Sequence, residues 1–232
     1  HDLVKAPANT PWAQERKHSW DARDPATVYY TPETLADGTP TTALTVILRT
    51  KGCHWWWSSG CTFCGYFNDT RDDVTSQDLH TQWEKSLAKF EDFESMGMVK
   101  VYTSGSLLED REIPLDFQER VLRDCHEMGK ELVVESRTEQ LTMEKLEWAT
   151  KINPKFSEAI GLEAYDDEVL RFHVNKGFST KSWDRAVSNL EHFGLRIKTY
   201  LMFKPPFMSE GDELHHGDKW IIAVSYTHLL AH

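Results

Sequence analysis

Ala43-Leu-Thr-Val-Ile-Leu48 runs straight into Arg49-Thr-Lys-Gly-Cys53-His-Trp-Trp-Trp-Ser-Ser-Gly-Cys61-Thr-Phe-Cys64-Gly-Tyr-Phe-Asn-Asp69. The first run is short and apolar, as a buried strand requires, and the second is a long loop. Downstream the alternation repeats. Leu79, Trp83, Leu87, Phe90 and Phe93 fall at helical spacing across 76–94, followed by a strand at Lys100-Val-Tyr-Thr103. A helix over 115–128 ends at Gly129, and Glu131-Leu-Val-Val134 is the third strand. A helix follows over 142–151, with Leu141, Lys145 and Trp148 in its pattern, then a fourth strand at Glu158-Ala-Ile-Gly-Leu162. Helices over 166–172 and 180–193 lead to a fifth strand, Arg196-Ile-Lys-Thr-Tyr-Leu-Met-Phe203. Strands that alternate with helices build a parallel sheet from βα units. The fold class is therefore α/β, a partial (βα) barrel of TIM type with about five strands.

In such folds the reactive groups lie at the C-terminal ends of the strands. Here those ends carry Cys53 to Cys64, Ser104-Gly105-Ser106, Glu135-Ser136-Arg137, Glu163 and Lys204. Working outward, residues 1–43 are polar and punctuated by Pro7, Pro11, Pro25, Pro32 and Pro40, which predicts an irregular N-terminal wrapping segment. Residues 44–210 form the barrel core. Beyond Glu210 the pattern decays, and Ala223-Val-Ser-Tyr-Thr-His-Leu-Leu-Ala-His232 reads as a non-native, linker-like tail. The expectation is a barrel truncated at its C-terminal side. Beginning on His1 rather than Met also reads as a fragment.

The chain has no apolar run approaching a membrane span and no signal-peptide pattern, so a cytoplasmic location and no membrane partner are expected. Its formal net charge of −11 argues against unaided nucleic-acid binding, which draws its affinity from a basic surplus. Three of the four cysteines cluster, a pattern of metal or redox chemistry rather than of a disulfide framework.

Three thiolates can hold three irons of a [4Fe–4S] cube and leave the fourth iron open. An open iron can chelate the amino and carboxylate groups of S-adenosylmethionine (SAM) and pass an electron to its sulfonium. The common spacing for this chemistry is C-x3-C-x2-C with an aromatic before the last cysteine. Phe63 and the second gap fit, whereas the first gap is seven residues. The competing reading is a structural zinc site in which His54 or Cys125 completes the three cysteines, making the chain a zinc-stabilised binding module. Cys125 falls inside an amphipathic helix, where a core thiol is the simpler role.

The cysteine run resembles the archaeosine-synthase radical SAM subunit. So do Tyr102-Thr-Ser-Gly-Ser-Leu-Leu-Glu-Asp110, Val134-Glu-Ser-Arg-Thr-Glu139, Gly161-Leu-Glu163, Asn175-Lys-Gly177 and Lys204-Pro-Pro-Phe-Met-Ser-Glu210. The likeness covers roughly residues 44–210, and the long first cysteine gap is a feature of that family. More distantly the chain is similar to the elongator catalytic subunit and anaerobic coproporphyrinogen oxidase. The resemblance implies the radical SAM barrel, with Cys53, Cys61 and Cys64 as cluster ligands and Phe63 near the adenine. It places Ser104, Gly105 and Ser106 at the methionine amino group, Glu135 at the ribose, Glu163 near SAM and Lys176 near the SAM carboxylate. Thr138 stands where the family usually has Pro.

It further implies a lyase of archaeosine formation. That enzyme cleaves the C–N bond of a lysine-modified 7-deazaguanine at tRNA position 15, after abstraction of hydrogen from the lysine ε-carbon. Its expected partners are the modified tRNA, a transglycosylase-like subunit that attaches the lysine, and an external electron donor. A different radical SAM activity on a small molecule or peptide is the alternative within the superfamily.

Overall fold

Six strands form one sheet in sequential order, in a computed structural model that describes residues 20–209. Much of the expected wrapping segment and all of the expected tail lie outside the described residues. β1 (Thr27–Thr34) pairs antiparallel with β2 (Pro40–Ile47). From there β3 (Met98–Tyr102), β4 (Glu131–Glu135), β5 (Phe156–Glu163) and β6 (Arg196–Leu201) each add in parallel. The parallel strands β2 to β6 are the five expected from the sequence. Between them run α1 (His54–Ser58), α2 (Ser76–Leu87), α3 (Leu115–Glu127), α4 (Met143–Ile152) and α5 (Thr180–His192).

Three of these five helices begin where a side chain caps them. Thr75 and Asp78 form a reciprocal capping box at α2, and the hydroxyls of Thr142 and Ser179 accept amide N–H groups at α4 and α5. One sheet face carries Leu44, Val46, Val99, Val101, Val134 and Ile160 into a core with Trp83, Phe117, Leu146, Trp183 and Leu190 of the helices. The other, concave face carries Ala43, Met98, Val133 and Ala159, with Tyr102 and Tyr200 against them.

β1 departs from the irregular segment read over 1–43. Its Pro32 is tolerated because an edge strand can spare one N–H. The hairpin closes on Asp37-Gly38, with Gly38 at φ 88°. From this edge Glu33 reaches over the concave face. Its carboxylate takes Lys100 Nζ of β3 at 2.6 Å and Lys198 Nζ of β6 at 3.8 Å. One tier above, the hydroxyls of Tyr102 and Tyr200 meet at 3.0 Å. β1 and β6 are the two edges of the sheet, five strands and about 24 Å apart if it were flat, so the contact of Glu33 with Lys198 requires strong curvature. The half-barrel is braced from within.

Glu158 stands in register with Val134 and Ile197, which both belong to the helix-facing core. It is fully buried, and among the described residues neither its carboxyl oxygens nor the nearby Ser136 Oγ makes a hydrogen bond of normal geometry. Burial pushes its carboxyl well above the usual range, only partly offset by the neighbouring Ser136 hydroxyl. The native state therefore keeps a proton that the unfolded chain releases above about pH 4.3. Stability contributed by this group is lost as pH rises from there towards the folded pKa, at up to about 1.4 kcal/mol per pH unit. Glu158→Gln is expected to match wild type in denaturant titrations near pH 4 and to exceed it by about 1–3 kcal/mol at pH 8. Parallel pH–stability curves for the two proteins would refute the buried neutral acid.

Candidate active site at the strand ends

A cavity of about 430 Å³ opens at the C-terminal ends of the strands. That is within the size range of sites that enclose small ligands. Cys53, Cys61, Cys64, Phe63, Ser104, Gly105, Glu135, Glu163 and Lys176 all line it. The sequence-predicted residues thus converge, with one exception: Ser106 is buried outside the lining. Its Oγ accepts the Arg137 N–H at 2.9 Å, and its own N–H donates to Glu112 Oε2 at 2.8 Å. Arg137, Tyr29, Tyr66, Tyr102 and Tyr200 line the cavity as well.

Each wall has a local cause. Gly52, at φ 92°, turns the chain after β2 and packs on Thr70. Cys53 then takes the N-cap position of α1, a single helical turn within the stretch the sequence predicts to be a loop. Trp56 of that turn stacks on Phe67, with centroids 3.9 Å apart. After β3, Gly105 comes so near that a Cβ there would lie 2.8 Å from Cys53 Cβ and 2.9 Å from its Cα.

Glu112, which the sequence reading did not single out, organises this wall. Its Oε1 accepts the Thr50 hydroxyl at 2.6 Å and the Ser104 and Gly105 N–H groups at 3.0 and 3.1 Å. Burial still pushes its carboxyl to about 7, against the pull of these donors. With the N–H groups of 104–106 taken, the turn's backbone can offer a ligand only carbonyl oxygens, which suit an ammonium.

At the end of β5 a bulge between Gly161 and Glu163 sets Glu163 at φ 67°, a left-handed conformation uncommon outside glycine. Its carboxylate holds Lys176 Nζ at 2.9 Å. Burial pushes the Glu135 carboxyl up to about 8, with Lys176 pulling the other way. Arg137 donates to Glu139 at 2.6 Å and to the Lys176 carbonyl at 2.9 Å, and lies over Trp55 and Phe178.

The donor set can be tested against each metal reading. Burial pushes the Cys53 thiol to about 11, and it raises Cys61 and Cys64 too, against the pull of nearby cations. Three such thiols, Cys53 buried and Cys61 and Cys64 half-buried, become thiolates when a cationic metal centre compensates them, so their chemistry fits an iron–sulfur cluster. Among the described residues no group of three His, Cys, Asp or Glu side chains is set for a metal ion, which bears on cluster and zinc alike. A mononuclear zinc site fits less well, because both proposed fourth ligands are committed elsewhere. The His54 ring faces Glu109 at 2.7 Å and Glu139 at 3.4 Å, while Cys125 is buried in the helix-side core.

No family model matches the chain. It is 34% identical over 210 residues to archaeosine synthase subunit beta of Methanosarcina acetivorans, covering 88% of this chain and 56% of that protein. It is 33% identical over 206 residues to the protein of the same name from Thermococcus kodakarensis, covering 86% and 64%. The chain therefore spans little more than half the length of the curated relatives it matches. Among solved structures it is similar to the radical S-adenosylmethionine methyltransferase TsrM from Kitasatospora setae. With tryptophan substrate and a SAM analog bound, that structure gives a TM-score of 0.52 at 12% identity, over 79% of this chain and 33% of the other. With cobalamin and a [4Fe-4S] cluster bound, it gives 0.53 at 13% identity, over 79% and 34%. At such identities the likeness establishes the fold. Among the described residues no helix is long and apolar enough to cross a membrane.

Proposed function

Because this chain is homologous to archaeosine synthase subunit beta and folds as radical SAM enzymes do, we propose that it is the core of a radical SAM enzyme of tRNA modification. The observation that carries this reading is the meeting of three cysteines from one loop with Gly105, Glu135, Glu163 and Lys176 from three other strand ends in one cavity. Cys53, Cys61 and Cys64 would hold a [4Fe–4S] cluster, and the remaining walls would hold SAM. When bound, the cluster supplies the electron that splits the SAM sulfonium and yields a 5′-deoxyadenosyl radical.

The chain's own residues prepare the pocket for that cofactor. Ser104 and Gly105 offer carbonyl oxygens to the methionine ammonium, since Glu112 has taken their N–H groups. Lys176 offers a cation to the methionine carboxylate and is aimed by Glu163. Glu135, largely protonated at neutral pH, offers a hydrogen bond to a ribose hydroxyl. Phe63 presents its ring at the cavity mouth for the adenine. The Tyr102–Tyr200 pair lies across the concave face and helps to shield a reactive carbon from water.

The substrate is a lysine-modified 7-deazaguanine at tRNA position 15, and C–N cleavage leaves archaeosine. A transglycosylase-like partner subunit supplies most of the tRNA grip, consistent with the net charge of −11 on this chain. An external donor supplies electrons, and the setting is cytoplasmic. The test is anaerobic reconstitution followed by assay with SAM, reductant, partner and adduct-bearing tRNA. About four irons and four sulfides per chain are expected, with 5′-deoxyadenosine and archaeosine as products. Zinc in place of iron would overturn the cofactor assignment. Formation of 5′-deoxyadenosine without archaeosine would overturn the substrate assignment alone.

A further inference from the structure

The gap between Cys53 and Cys61 is seven residues, and its extra length is spent on one neighbour. Trp55, Ser59 and Gly60 within the gap, and Thr62 just beyond it, all bond to the segment that ends a π-helical turn at Val169–Val174. A helix leaves its last carbonyls without partners inside the helix, and here the cysteine loop takes them. The Thr62 hydroxyl donates to the His173 carbonyl at 2.7 Å and the Thr62 N–H to that of Val174 at 2.9 Å. The Trp55 indole N–H donates to the Asn175 carbonyl at 2.8 Å.

Asn175 closes the contact from the other side. It sits at φ 52°, a left-handed conformation that asparagine tolerates better than most residues. Its side-chain amide donates to Ser59 Oγ at 2.9 Å and to the Gly60 carbonyl at 2.6 Å. Gly177 completes the seat, since a Cβ there would lie 2.5 Å from the Trp55 ring. Cys61 is thus held between Gly60 and Thr62, both anchored to one segment. The same segment carries Lys176, which pairs with Glu163 and lies 6.0 Å from the Phe63 ring centroid.

We propose that Asn175 is a positioning residue that locks Cys61, and Cys64 through its N–H bond of 3.3 Å to the Cys61 carbonyl, to the segment bearing Lys176, and that the lengthened cysteine gap exists to reach it. Cys53 is outside this clamp, because its seat is made by Gly105. The purpose of the lock rests on the function proposed above, but the lock can be read without any cluster or activity.

The experiment is time-resolved iodoacetamide labelling of the cluster-free chain, with each cysteine quantified by mass spectrometry. Asn175→Gly keeps the left-handed backbone and deletes the amide. It is expected to speed labelling of Cys61 and Cys64 about tenfold, leaving Cys53 and buried Cys125 at wild-type rates. Asn189→Ala removes a comparable side-chain bond, to the Leu141 carbonyl, and should change none of the four. Unchanged rates at Cys61 and Cys64, or an equal rise at all four cysteines, would overturn the proposal. Should Asn175→Gly fail to fold, Thr62→Val, which deletes the bond to His173, is read by the same pattern. Site-selective labelling together with a wild-type chain that takes up no iron would sink the cofactor reading and leave the clamp standing.

Discussion

Gly105→Ala is expected to unseat Cys53 while the sheet stays folded. The added methyl would meet Glu112 Oε2 at 2.5 Å, Cys53 Cβ at 2.8 Å and Cys53 Cα at 2.9 Å. Two of those neighbours belong to a buried cysteine at the start of α1, and the third is pinned by three backbone N–H groups and Thr50. None is the free end of a flexible side chain, so the loop must shift. Overpacking of this kind costs about 1–3 kcal/mol, a fall in Tm of about 2–4 °C per kcal/mol for a chain of this size. The functional loss should be larger, because a displacement of about 1 Å in a positioned group can cost about a hundredfold in rate. Gly129→Ala is the comparison: a Cβ there meets nothing within 4 Å, and only its φ of 65° is strained. It should lower Tm and spare both iron content and 5′-deoxyadenosine formation. If Gly105→Ala keeps full iron content and rate, the approach of this turn to Cys53 has no functional weight.

The sheet was legible because its strands and helices differ in period. Leu79 and Trp83 recur at helical spacing, whereas Val99 and Val101 belong to a run buried on both faces. β1 was missed because Pro32 and a polar composition argued for irregular chain, although Asp37-Gly38 is a hairpin signal in the sequence itself. α1 was missed because one helical turn is too short to show a period. In the site, the cysteines announced themselves by spacing and chemistry. Glu112 and Asn175 could not, since each acts on backbone groups that only the fold brings near; Asn175 clamps a carbonyl 115 residues away. The burial of Glu158 could not be read either, because it is the helix layer of the folded chain that covers this acid.

Cys53→Ala, Cys61→Ala and Cys64→Ala should each abolish 5′-deoxyadenosine formation, and the triple variant should be no worse than any single one. Groups that act as one unit lose function non-additively, because the first deletion already removes what the others serve. The fold should survive, since the main core is built on the helix side of the sheet, away from this loop. Cys125→Ala supplies the contrast. That thiol lies fully buried on the core side of α3, so its loss should cost on the order of 1 kcal/mol of stability and leave iron, sulfide and SAM cleavage untouched. The two outcomes separate a cluster from a structural zinc site. Loss of a structural metal would lower Tm in all three loop variants, whereas loss of a reactive cluster silences chemistry in a chain that still melts cooperatively. A loop variant that retains both iron and SAM cleavage would show that its sulfur is not a ligand, and the functional reading would go with it.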